Sequence, residues 1–129
     1  MIIKLDAPYK YEDYEVTEFD LDLMGKVNPR TQEYLEGRYR REILRKRKNL
    51  SPEEFGVYTE HPAADKQFRL MVFEWLTGYP KELIFNDTFP LATYNAILDA
   101  IVYFFMNWSE PSAGPPEAPE EAMETPQAQ

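Results

Sequence analysis

The stretch FPLATYNAILDAIVYFFMNW, from Phe89 to Trp108, is the most apolar helix-like segment of the chain, and the rest must fold around it. Tyr94, Ile97, Leu98, Ile101, Phe104, Phe105 and Trp108 recur at spacings of three and four, which places them on one broad stripe of a helix. Burying a side chain of this kind is worth roughly 1.5–3 kcal/mol, so no other segment offers as much driving force. The stretch is not a membrane span, because its uninterrupted apolar run is only Ala100 to Met106 and Asp99 interrupts the helix.

A partner for that stripe is easy to find. The run Ala64 to Thr77 predicts a helix carrying Phe68, Met71, Val72, Trp75 and Leu76, with Gly78 as its stop. Tyr79-Pro80 opens a short turn over 80–85, broken by Asn86-Asp87-Thr88, and the last helix follows over 90–108. These signals predict an αα-hairpin with a short helical elbow.

The N-terminal residues 2–23 predict a β-hairpin. Ile3, Leu5, Ala7, Tyr9 and Tyr11 alternate with polar residues, Glu12-Asp13 makes the turn, and Val16, Phe19, Leu21 and Leu23 lie on the return arm. The apolar parity switches between Val16 and Phe19, which calls for a bulge near Thr17 or a longer arm whose end packs elsewhere. Pro8 marks the first arm as an edge, and two strands alone are marginal, so the hairpin must lie on the helices or pair with another subunit.

Asn28-Pro29 starts a helix expected over about 29–48, whose apolar stripe is only Tyr34, Leu35, Tyr39, Ile43 and Leu44. Ser51-Pro-Glu-Glu54 is a capping box opening a short helix over 52–56, and VYTEHPAAD reads as a connector. The fold class is therefore α+β: a hairpin followed by a small helical bundle, in one domain over 1–108. Residues 109–129 hold five Pro and five Glu with no Lys or Arg, the composition of a disordered acidic tail. That tail holds −5 of the net charge of −9 and leaves −4 for the body.

Seven of the fourteen basic residues lie between Arg38 and Lys48: Arg38, Arg40, Arg41, Arg45, Lys46, Arg47 and Lys48. Three uses compete. Cations are stabilised at a helix C-terminus and keep a solvated face wet. The same group can dock an acidic partner, including the tail of this chain or of a neighbouring copy. Nucleic-acid binding is the weakest of the three, since no helix-turn-helix spacing, glycine loop or RNA-stacking motif accompanies the cluster and the chain is acidic.

Catalytic chemistry finds no foothold. Cys is absent, which removes disulfides, thiolate ligands and cysteine nucleophiles and fits a reducing compartment. The one imidazole, His61, stands before Pro62 in a loop and cannot build the usual zinc site alone. Adjacent acidic pairs fall in turns, a helix start and the tail, and no phosphate-cradling glycine loop occurs. The expectation is a non-enzymatic module with no cofactor and no metal. The opening MIIKLDAPYK lacks the pattern of a signal peptide, so the protein is expected to stay where it is made. Nine Tyr within 15% aromatics suit a binding surface, because Tyr and Trp give large contact area at small entropic cost.

The order of elements resembles the tail assembly chaperones of long-tailed bacteriophages. IIKLDAPYKYEDYEVTEFDLDL is similar to that family's opening, a strand ending in Pro-Tyr or Pro-Ile, a short turn, and a V-T-E-hydrophobic-D-L arm. FRLMVFEWLTGYPKELIFNDTFPLATYNAILDAIVYFF is similar to its closing half, an apolar helix ending in Thr-Gly-hydrophobic-Pro and a final helix ending in paired aromatics. The two stretches cover about half the chain; the basic helix and NLSPEEFGVYTEHP make the middle longer than the family pattern. The resemblance implies a factor of the host cytoplasm, absent from the mature virion, that binds the tape measure protein, with tail tube protein as a second partner. Self-association and a frameshifted long form are further expectations. The contact surface placed on this resemblance is Tyr94, Ile101, Phe105 and Trp108 of the last helix, helped by Trp75, Tyr9 and Tyr11; core packing is the competing use of each, and the favoured one for Ile101 and Phe105. The alternative function is a phage-encoded regulator that binds a host protein through the basic helix.

Overall fold

A computed structural model describes residues 1–108, and the side chains of 1–106. The expected acidic tail, 109–129, lies outside the described residues. The fold is α+β: strands β1 (Ile2–Tyr11) and β2 (Tyr14–Asp20) form an antiparallel hairpin, and helices α1 (Leu23–Lys26), α2 (Pro29–Glu42), α3 (Pro52–Glu60), α4 (Lys66–Thr77) and α5 (Leu91–Trp108) follow.

The hairpin turns through Glu12, whose φ of 52° lies in the left-handed region. Lys4 faces Glu18 and Tyr9 faces Val16, so Leu5 to Pro8 stand opposite Thr17 alone. The irregularity therefore falls beside Thr17 but the extra residues belong to β1. Pro8 is the reason: it brings no N–H to the ladder, and the strand detours around it. The detour leaves Ala7 exposed and lets both Val16 and Phe19 point into the core. The return arm is shorter than expected, because Leu23 opens α1 instead. Asp22 caps that single turn through Gly25 N–H at 3.1 Å. A Cβ on Gly25 would stand 2.4 Å from the Asp22 carboxylate, so the cap itself demands glycine there.

The hairpin lies on the helices. Phe19 meets Phe73 of α4, Tyr79 and Phe89 edge-on at 5.6, 5.9 and 6.1 Å, and Tyr14 meets Tyr79 at 5.6 Å. Edge-to-face pairs of this kind add about 0.5–1.5 kcal/mol each beyond their area.

Helix α2 starts as expected. The Asn28 side chain accepts from Thr31 N–H, and the Thr31 hydroxyl accepts from Asn28 N–H. Its end corrects the expected span of 29–48: the helix stops at Glu42, and Leu44–Lys46 form a 3-10 turn. Leu44 is the cause. On a continued helix it would stand roughly 140° from Tyr39 at 100° per residue, facing water, whereas the break buries it. Tyr34, expected on the stripe, faces out.

Helix α3 opens on the reciprocal Ser51–Glu54 cap but runs past Gly56 to Glu60. An exposed Gly costs about 1 kcal/mol inside a helix and does not stop one. The stop is His61 before Pro62, where the α region is disfavoured. A 3-10 turn over Pro62–Ala64 leads to Asp65, the N-cap of α4, so α4 begins at Lys66 and not at 64. Gly78 ends it with φ 81°, and Lys26 Nζ donates to the Leu76 carbonyl at 3.2 Å. The elbow is a 3-10 turn over Lys81–Leu83. Helix α5 buries Ile97, Leu98, Ile101 and Phe105 against α4 and the 3-10 turn at Pro62. No described helix is long and apolar enough to cross a membrane.

Two backbone positions make an opposed pair of tests. Glu12→Gly removes a left-handed strain of about 1–2 kcal/mol and returns part of it as unfolded-state entropy, so a urea melt should show stability gained by up to about 1 kcal/mol. Gly78→Ala should lose about 1 kcal/mol in the same assay.

Candidate functional site

Polar chemistry concentrates at the N-terminal end of α4. Asp65 is only 4% exposed, yet it is ionisable. Its Oδ1 accepts from Gln67 N–H at 3.1 Å, and its Oδ2 accepts from both the Tyr39 hydroxyl and the Arg47 guanidinium. A buried carboxylate is tolerable only with such partners. Arg47 in turn lies over the Tyr58 ring at 5.6 Å. Burial, and then the hydrogen bond to Asp65, push the Tyr39 hydroxyl far above the ordinary tyrosine range.

Arg40 also works inside the fold. Its Nη2 and Nε donate to the Thr59 carbonyl at 2.6 and 3.1 Å, and it pairs with Glu36 at 3.8 Å. Arg38 pairs with Glu42 at 3.2 Å. The seven cations expected within one helix are thus neither on one helix nor equivalent. Arg40 and Arg47 tie the end of α2 and the following turn to Thr59 and Asp65, whereas Arg38 pairs only along its own helix. Arg41, Arg45, Lys46 and Lys48 are exposed, and no ion pair holds them among the described residues.

The aromatic contact surface needs correction too. Ile101 is 0% and Phe105 2% exposed, and Phe105 stacks edge-on against Phe68 at 5.2 Å. Both are core, because the part of α5 that carries Ile97, Leu98, Ile101 and Phe105 faces α4 and the 3-10 turn at Pro62. Tyr9 is half-buried and committed: its hydroxyl donates to Asn86 Oδ1 at 2.9 Å and lies 2.8 Å from the Thr88 hydroxyl, while its ring meets Phe89 at 5.0 Å. Asn86 then braces the elbow, accepting from Thr88 and Phe89 N–H and donating to the Glu82 and Leu83 carbonyls. Tyr11 and Trp75 are half-buried and pack on the core. The Trp108 side chain lies outside the described residues.

Tyr94 alone joins an exposed apolar surface. It is half-buried, and its ring lies 6.0 Å from that of Phe85, which is 48% exposed. Leu91, one turn earlier on α5, is 68% exposed. Lys66 Nζ sits 4.5 Å over the Phe85 ring, so a cation borders the apolar group. The Tyr94 hydroxyl is buried, and burial raises its pKa against the pull of Arg69. Sequence reasoning missed Phe85 and Leu91 because neither lies on the buried stripe. It missed Asp65 although an Asp before an apolar-periodic run is a recognised helix start.

Among the described residues no cluster of three or more His, Asp or Glu could hold a metal ion. A groove of about 200 Å³ is lined by Arg38, Met71, Glu74 and Lys81 among others. The chain matches no protein-family model, no curated protein and no solved structure. The arrangement offers two surfaces for association, the apolar elbow and the exposed basic group.

Tyr39→Phe keeps the ring but removes one donor from a buried carboxylate, which should cost about 1–3 kcal/mol in a urea melt. The folded Tyr39 pKa stands above its unfolded value of about 10, so its contribution is complete below that pH and declines as pH rises above it. The alkaline decline in stability should be shallower in Tyr39→Phe than in the parent.

Proposed function

We propose that this protein is a tail assembly chaperone of a long-tailed bacteriophage, a non-enzymatic factor that binds the tape measure protein. It keeps that protein from aggregating while tail tube protein assembles around it, acts in the host cytoplasm, and is absent from the mature virion. The observation that carries the reading is the apolar surface of Phe85, Leu91 and Tyr94 at the elbow. It lies within the closing stretch whose sequence resembles that family. A tape measure protein exposes apolar helical stripes before the tube encloses it, and a surface of this kind covers such a stripe. Among the described residues neither outer edge of the two-stranded sheet pairs with a further strand, which further favours self-association.

A second reading, a phage-encoded regulator of a host protein, is favoured by the exposed Arg41, Arg45, Lys46 and Lys48. Co-expression with the long helical protein encoded just downstream separates the two. The chaperone reading expects that protein to stay soluble and to co-purify, and rescue should fall sharply in Phe85→Ser/Leu91→Ser. Both side chains are exposed, so the double variant should melt within about 0.5 kcal/mol of the parent at each site. Absence of rescue by the folded parent chain overturns the reading.

A further inference from the structure

The exposed part of the basic cluster lies at the same end of the molecule as the last described residues. Helix α5 runs back along α4, and Phe105 stacks on Phe68 at 5.2 Å. Phe68 stacks on Tyr39 at 5.4 Å, and the Tyr39 hydroxyl shares Asp65 with Arg47. Two ring contacts and one carboxylate therefore connect the end of α5 to the segment Arg41–Lys48. Within that segment Arg41, Arg45, Lys46 and Lys48 are exposed without an ion pair among the described residues. The chain that continues from Trp108 carries Glu110, Glu117, Glu120, Glu121 and Glu124 and no cation. A stretch of its 21 residues can span on the order of 70 Å when extended.

The geometry points to residues 109–129 docking in cis on the basic rim of Arg41, Arg45, Lys46 and Lys48. Four cations face five carboxylates of one contiguous segment. A segment tethered to the same chain meets its site at an effective concentration on the order of millimolar, so weak individual pairs suffice. The pairs are exposed and each is worth little alone, so the contact forms by summed charge and is salt-sensitive. An acidic partner then reaches the rim only by displacing the tail. This inference is independent of the chaperone reading.

The absence of Cys makes a direct test simple. Ala122→Cys carries a nitroxide label on the full chain, and amide signals are followed by NMR at low salt. The expected result is loss of signal at residues 41–48. Signal should return at about 0.5 M NaCl, where the Debye length falls to roughly 4–5 Å. It should also return when the five tail glutamates are changed to Gln, a variant that leaves the described body untouched. Undiminished amides at 41–48, or broadening that survives both salt and charge removal, overturns the proposal. So does broadening transferred undiminished to an unlabelled copy mixed in, which would assign the rim to a neighbouring chain's tail.

Discussion

The helical part of this protein depends on one buried carboxylate. Asp65 caps α4, and having left water it must collect donors. Those donors come from two distant places, Tyr39 near the end of α2 and Arg47 beyond the 3-10 turn. The chain must therefore leave α2 soon after Tyr39 and double back toward the start of α4. The same tyrosine presents its ring edge-on to Phe68, which meets Phe105. One polar hub and one aromatic row thus fix α2, α4 and α5 relative to one another.

A second aromatic assembly does the corresponding work at the opposite end of the α4–α5 hairpin. Phe19, Tyr14 and Tyr9 reach from the hairpin to Phe73, Tyr79 and Phe89. A two-stranded sheet has too little apolar area to be stable alone, so ring contacts with the elbow take the place of further strands. Aromatic abundance, which in the sequence suggests a binding surface, is largely absorbed by this role. What remains outside is a short apolar group around Phe85 and Tyr94, bordered by Lys66, and a separate fringe of exposed cations over residues 41–48.

The parts legible in the sequence are those written in local chemistry. Asn28-Pro29, Ser51 with Glu54, and Gly78 each satisfy or release backbone groups within a few residues, and the structure uses them as read. The apolar stripes of α4 and α5 were legible for the same reason. The end of α2 was not, because what stops it is the burial of Leu44, a demand set by tertiary packing. Which side of the hairpin carries the extra residues depended on Pro8 competing with Thr17, two candidates that a parity switch cannot separate. Ile101 and Phe105 took the core alternative and not the contact surface, a choice the sequence leaves open because a stripe marks what is buried without saying by whom. Arg40 and Arg47 were indistinguishable from Arg41 and Arg45 until Thr59 and Asp65, far along the chain, supplied acceptors.

Helix α3 stands apart in that it contributes no buried residue. It is attached through the Thr59 carbonyl on Arg40 and the Tyr58 ring beneath Arg47, with Phe55 and Val57 left in water. Free energy of local opening follows buried apolar contact, so a helix with no buried residue is expected to open more easily than α4 and α5, which carry the core. On that expectation the cooperative unit is smaller than the described chain. Residues 52–60 ride on it as a subunit of stability that evolution can lengthen, shorten or replace with little cost to the core.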